Sequence, residues 1–464
     1  MMVCLRQILI LGAGPAGLGA AWKLARRGFD VTVAERAAEA GGNSGSFRVD
    51  GQPVDYGSHR LHPSCSPEIL ADIRRMLGSD LLDRPRHGRI RLCGRWLHFP
   101  LRAFNLARNA PLGFAAGVLG SALWKPAATG EDTFAHALER GLGRTICREF
   151  YFPYARKIWG VEPSQIDSEQ ARRRVSAGSI VKLLGKVLAR PRKGRFYYPR
   201  RGFGQINEAY AGAAAAAGAK LLFNTTVSRI EVENGKVTSV SAVTPAGEVQ
   251  WHPQLILSSI PLPRLVQLMT PEAPAQVRSA AAQLEYRAMI LIYLVLDAER
   301  FTEYDAHYFP SEDIRITRLS EPKNYGLNGA QGRTVLCAEL PCFKTDPVWT
   351  FSDDELGQLV LESLRRADIP FHGAVLGVLS RRLAEAYPIY RLGYRKHFDA
   401  LDQWVGGMEG VVTLGRQGLF AHDNTHHTLA MAYAAADSVN EAGQFDRSLW
   451  AQARRQFETF TVED

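Results

Sequence analysis

His59 and His62 stand three residues apart in the run Gly57-Ser58-His59-Arg60-Leu61-His62-Pro63. Imidazole changes charge near neutral pH, so either ring suits proton exchange at a reacting centre. The simpler reading is that His59 only bonds backbone within its own loop. A second kind of chemistry lies upstream, in Gly12-Ala-Gly14-Pro15-Ala16-Gly17. Glycines at this spacing permit a tight turn, close approach of backbone to a pyrophosphate, and close packing of a helix on a strand.

The elements that must position these groups are legible around them. The apolar run Ile8 to Leu11 reads as a buried strand leading into the glycine turn, and Leu18, Ala21 and Leu24 then share one side of a helix. Gly28 closes that helix. Val31 to Glu35 reads as a second strand ending in an acid, with Arg36 beside it, and Glu35 is placed to accept hydrogen bonds from ribose hydroxyls. The free N–H groups at the helix start favour phosphate. Next come Gly41, Gly42 and Asn43, then Gly57 and Ser58 ahead of His59. Glycines this dense let backbone lie against a flat ligand, because no Cβ intervenes.

The chain has 464 residues, more than one hydrophobic core usually serves. Hydrophobic residues make up 46% and charged residues 22%, the balance of a soluble globular enzyme. The six cysteines form no CxxC pair and no Cys/His cluster at zinc spacing. No metal site is expected, and free thiols suit the cytoplasm. The first apolar run flows straight into the glycine turn, so no cleaved leader is expected.

Net charge is +9, which favours nucleic acid, an anionic membrane or a phosphorylated substrate. No nucleic-acid motif accompanies it, so a small-molecule substrate, anionic or phosphorylated, is the expected partner. Ser179 to Arg201 carries Lys182, Lys186, Arg190, Arg192, Lys193, Arg195, Arg200 and Arg201 with no acid between them. That run reads either as a solvated basic helix end or as a site for phosphate or anionic lipid. Ala110 to Leu123 is too short and glycine-rich to span a bilayer. The basic, apolar stretch from Trp96 to Lys125 leaves peripheral contact with the inner face of a membrane open. Oligomeric state is not legible.

Taken together, the glycine fingerprint, the acid ending the second strand, the Gly41-Gly42 loop and the Asp55-Tyr-Gly57-Ser-His59 segment resemble one group of flavoproteins. It includes the amine oxidases, protoporphyrinogen oxidase, phytoene desaturases and UDP-galactopyranose mutase. The resemblance implies non-covalent FAD as cofactor. It implies an adenine contact near Val227, a crossing out of the FAD domain at Ser259, and a second turn at Gly415 and Arg416. The helix beginning near Thr425, His426 and His427 is implied to face the flavin ring.

Three stretches resemble the mutase and its relatives more narrowly: 57–62, Tyr154-Ala-Arg156-Lys157-Ile-Trp159-Gly160, and Tyr387-Pro-Ile-Tyr390-Arg391. By that resemblance Tyr390 and Arg391 clamp a nucleotide diphosphate, and Tyr154, Arg156, Lys157 and Trp159 line the substrate pocket. The implied fold class is α/β: a three-layer, Rossmann-like FAD-binding domain on a mostly parallel sheet, with an inserted α+β substrate domain. FAD-domain segments are expected at 1–81, 195–261 and 386–464. A helical insertion is expected at 82–194, and an antiparallel sheet with helices at 262–385. The leading expectation is an oxidoreductase that oxidises or desaturates a small or medium organic substrate by hydride transfer to flavin N5. The alternative is a flavin-dependent isomerase acting on a nucleotide sugar.

Overall fold

The computed structural model describes residues 7–99, 105, 108–109, 111–123, 132–174, 194–326, 331–371 and 373–462. The strand Gln7–Leu11 is central in a five-stranded, all-parallel sheet. Asp30–Ala34 and then Lys220–Leu222 flank it on one side, Leu255–Ser258 and then Val411–Thr413 on the other. These strands are apolar almost throughout because both faces are covered. Helices Pro15–Ala25, Gln205–Ala216 and Thr425–Asp437 cover one face, where the Trp22 ring meets Tyr210 edge-on at 5.6 Å. A Cβ on Gly19 would lie 3.0 Å from both Ala432 and Leu429, so glycine lets the first and last of these helices touch. The opposite face carries helices Leu262–Gln267, Ala275–Ala282 and Tyr394–Gly406 with a small sheet, Thr226–Glu233, Lys236–Thr244, Gly247–Trp251 and Met269–Thr270. The Asn234-Gly235 turn within it has both residues at positive φ, 51° and 77°. The fold is three-layered and α/β.

A second, seven-stranded sheet runs in the order Val375–Pro388, Tyr286–Leu296, Thr334–Cys342, Arg318–Ser320, Ala306–Tyr308, Gly88–Leu92, Arg95–Phe99. The hairpin from 88 to 99 therefore joins the sheet formed by 286–388, rather than belonging to a separate helical insertion. An isolated hairpin leaves an edge of unpaired backbone, and docking on Ala306–Tyr308 removes one. Two expected boundaries also fall inside strands. Leu81–Pro85 pairs with Arg195–Pro199 across the first, and Val375–Pro388 runs through the last. Helices Phe134–Leu142, Phe152–Trp159 and Glu169–Arg174 fill much of 132–174. The helix Asp353–Arg366 opens with a capping box, Ser352 with Glu355.

Lys182, Lys186, Arg190, Arg192 and Lys193 of the basic run lie outside the described residues, as do several residues between 100 and 125. Arg195 pairs with Asp83, and Arg200 and Arg201 lie 3.6 and 3.8 Å from Asp80. Their acids come from a different strand and turn, which a scan along the run alone could not reveal. Among the described residues no helix is long and apolar enough to cross a membrane.

Candidate active site

A cleft of about 680 Å³ opens at the carboxyl ends of the parallel strands and extends to one end of the seven-stranded sheet. Ligands of open parallel sheets bind at that edge. The three glycines of the first turn have three separate reasons to be glycine. Gly12 sits at φ +98°, and a Cβ there would lie 2.6 Å from the Ser259 hydroxyl. A Cβ on Gly17 would lie 1.9 Å from the Gly12 carbonyl oxygen. A Cβ on Gly14 would meet nothing within 4 Å, so this side of its backbone is open to the cleft. Gly14 is also the cap of the helix Pro15–Ala25 and carries no side-chain capping bond, so the helix start stays available to an anion.

Glu35 follows directly on the strand Asp30–Ala34, one residue past its end, and its carboxylate is already engaged. Oε2 accepts the Ala13 N–H at 2.7 Å and Oε1 the Ala37 N–H at 2.8 Å. Each oxygen keeps a second lone pair, so contact with a ribose hydroxyl remains open. Val227 and Ser259 line the same stretch of cleft, with Thr225 and Pro261. Gly41 and Gly415 do not line it. Gly415 packs against the first turn, where a Cβ would meet Ala16 at 2.6 Å, and Gly41 closes its own loop on Gly45. Gly42, Asn43, Ser58 and Arg416 line the cleft directly.

The loop from Gly41 to His59 is held from beneath by two buried acids. Asp55 accepts the Ser46 hydroxyl at 2.5 Å, the Tyr198 hydroxyl at 2.6 Å and the Phe203 N–H at 2.8 Å. Burial raises its pKa despite those donors. Glu339 accepts the Ser58 N–H at 2.8 Å and holds the Arg318 guanidinium at 2.7 Å. Gly57 lies against Glu339, not the cleft; a Cβ there would stand 3.3 Å from the carboxylate. His59 lines the cleft with its Nε2 2.9 Å from two backbone carbonyls, those of Asn43 and Tyr56. Carbonyls only accept, so Nε2 carries the hydrogen. Burial lowers the His59 pKa although Asp55 opposes it, and the ring is a neutral post bracing the loop.

Several expected site residues lie elsewhere. His62 bonds Ser64 at 2.7 Å and is not in the cleft wall. Arg391 makes a two-pronged pair with Glu285 at 2.7 and 3.1 Å, and Tyr390 is buried with its ring stacked 4.2 Å from Tyr394. Both belong to a helix–sheet junction outside the cleft. Arg156 pairs with Glu162 and Glu312 at the surface. Lys157 Nζ donates to the carbonyls of Phe309, Ser311 and Ile316, and burial pushes its pKa down to about 7. Trp159 packs on Phe134, and Tyr154 stacks on Phe150. The helix Phe152–Trp159 thus spends all four side chains on contacts away from the cleft.

At the helix Thr425–Asp437, Thr425 and Thr428 line the cleft whereas His426 and His427 do not. His427 is used in capping: its Nδ1 accepts the Asn424 N–H at 3.3 Å, and its ring stacks 4.4 Å from Phe460. His426 is buried beside it, and desolvation lowers its pKa to about 3.

Tyr286, Tyr308, Arg318, Lys344 and Arg174 line the cleft, and no motif reading found them. One signal was available: Glu339 is a lone acid inside the apolar strand Thr334–Cys342, and a buried acid demands a cation. The residues present fit an extended dinucleotide. An open glycine turn with an uncapped helix start, an acid at the second strand and an arginine at the opposite turn share one continuous wall.

The chain matches the family model for flavin-containing amine oxidoreductases over residues 15–437. It is 29% identical over 250 residues to a Mycobacterium tuberculosis protein named as a putative flavin-containing monoamine oxidase, a match covering 51% of this chain and 53% of that one. It thus spans about half the length of that relative. It is 23% identical to a coproporphyrinogen III oxidase of Propionibacterium freudenreichii, over 85% of this chain and 84% of the relative. The fold matches reduced UDP-galactopyranose mutase with a TM-score of 0.81 at 19% identity, covering 99% of this chain and 100% of the other. It matches cyclohexylamine oxidase from Brevibacterium oxydans with a TM-score of 0.67 at 16% identity, covering 97% and 100%. The chain belongs to the flavin-containing amine oxidoreductase family, and the cofactor that membership implies is FAD.

Proposed function

We propose that this protein is an FAD-dependent oxidoreductase that holds FAD non-covalently and oxidises or desaturates a small or medium organic substrate. The observation that carries the reading is the continuous cleft joining the glycine turn to the end of the seven-stranded sheet. When bound there, FAD supplies the acceptor for a hydride, at the flavin N5.

The chain's own contribution is placement. Gly14 and the helix start at Pro15 receive the pyrophosphate, Glu35 and Val227 the adenosine end, and Arg416 the middle or ring edge. Asp55 and Glu339 fix the loop carrying Ser58 and His59, and the start of Thr425–Asp437 closes the far side. His59 donates from Nε2 to two carbonyls, which braces the loop beside the cleft. The substrate side joins the hairpin at 88–99 and the helices within 132–174 to the sheet strands of 286–388.

The isomerase reading is less well supported. Its clamp residues, Tyr390 and Arg391, are engaged outside the cleft. Reconstitution with FAD followed by anaerobic titration tests both readings. A flavin band that a substrate from a panel of amines, prenyl compounds and porphyrinogens bleaches supports the oxidoreductase. UDP-sugar turnover that needs pre-reduced flavin supports the isomerase, and a chain that takes up no flavin overturns both. No nucleic-acid partner is proposed. Peripheral membrane contact through 96–125 predicts flotation with anionic liposomes, and recovery only in the soluble fraction removes it.

A further inference from the structure

At the sheet end of the cleft the cations divide by partner. Arg60 lies 3.1 Å from Asp305 and Arg318 lies 2.7 Å from Glu339, so both charges are matched. Arg416 donates to the carbonyls of Asp423 and Ala386. Arg174 and Lys344 also line the cleft, and neither has a hydrogen bond or ion pair among the described residues.

Strand register brings these two to one end of the sheet. Tyr387 pairs with Arg287 and Ala288 with Cys342, so Lys344, two residues beyond Cys342, emerges at the same end as Tyr387. The Arg174 guanidinium stands 5.3 Å from the centre of the Tyr387 ring, and that of Arg416 stands 5.0 Å from it. Besides Glu35 at the nucleotide end, two carboxylates line the described wall of the cleft. Asp423 is 3.3 Å from His427 Nδ1 and close to Arg416, and Glu385 faces Tyr286. Neither approaches Arg174 or Lys344 within ion-pair distance. Arg174 is half-buried and Lys344 exposed, so both can meet an anion entering the cleft, and neither is matched by an acid among the described residues. An alkylammonium group would meet like charge at Arg174 and Lys344, with Asp423 and Glu385 the carboxylates elsewhere in this wall.

We propose that the substrate carries an anionic group, a carboxylate or a phosphate, bound by Arg174 and Lys344 while Tyr387 packs along its body. The proposal rests on the oxidoreductase reading and names its substrate class: a member of an amine oxidoreductase family whose cleft selects anions.

The test titrates FAD-loaded protein with inorganic pyrophosphate, with citrate and with benzylamine, read by flavin difference spectra and by calorimetry. Saturable binding of either anion, with none for benzylamine, is expected, and whichever anion binds distinguishes phosphate from carboxylate. Arg174→Gln combined with Lys344→Gln is expected to weaken that binding by about tenfold or more, the loss of charge-assisted hydrogen bonds. Arg174→Lys is expected to recover part, and retained flavin absorbance shows each variant folded. Anion binding unchanged in the double variant, no anion binding, or saturation by benzylamine overturns the proposal. Failure to take up flavin overturns the oxidoreductase reading as well, which separates the two.

Discussion

The two ends of the cleft are built differently. The nucleotide end comes largely from one contiguous stretch, Gly12 to Glu35, folded as strand, turn, helix and strand. The other end gathers Ser58, Arg174, Tyr308, Arg318, Lys344 and Tyr387 from segments far apart in the chain. At the first, a local clash or an open backbone decides each residue. At the second, the deciding interactions are ion pairs and hydrogen bonds between distant strands, such as Glu339 with Arg318 and Ser58.

That contrast predicts where damage is greatest. Glu339→Ala removes the buried carboxylate that holds Arg318 and accepts the Ser58 N–H. A loss of about 3–5 kcal/mol is expected, read by urea unfolding. If unfolding barely changes, the distant acid is not what holds the second end. Gly17→Ala probes the first end, where the added Cβ meets a backbone oxygen at 1.9 Å. Overpacking of that kind costs about 1–3 kcal/mol and should lower FAD retention, measured by fluorescence of released flavin.

Each region also holds one buried histidine with its pKa pushed to about 3, His426 by the cleft and His307 in the strand Ala306–Tyr308, burial being the main cause in both. The unfolded chain titrates near the ordinary value of 6.5, so below that pH it binds protons that the fold refuses. The contribution of each ring is complete above 6.5 and is lost as pH falls toward 3, at up to about 1.4 kcal/mol per pH unit. Replacing His426 or His307 by Asn should each remove one such contribution from the slope of stability against pH. An unaltered slope would show the ring already charged in the fold. The smallest effect belongs to Arg391→Ala. Its half-exposed pair with Glu285 is worth about 0–1 kcal/mol, and flavin binding should not change. A large loss of flavin affinity would return Arg391 to the site.

Legibility in the sequence followed the same division. Gly12, Gly14, Glu35, Gly42, Val227 and Ser259 were readable because each sits in a motif whose spacing is set by one turn or one strand end. Tyr390, Arg391, Arg156 and Lys157 carried the right chemistry for a clamp but face elsewhere, since a helix or strand end can present such a side chain in any direction. The hairpin at 88–99 looked like part of a helical insertion because its partner, Ala306–Tyr308, lies about two hundred residues away.

By itself the amino-acid sequence determined the strand–turn–helix at Gly12, the acid at Glu35 and, through these and the neighbouring motifs, the resemblance to flavoproteins. All of these depend on contacts among near neighbours, where residue type and spacing are the geometry. Only the tertiary structure decided that Glu339 holds Ser58 and Arg318, that His59 is a neutral brace, and that Arg174 and Lys344 line the cleft at the Tyr387 end without an acid among the described residues. Whether a charge is matched or free depends on which strands meet, and burial then sets what that charge costs.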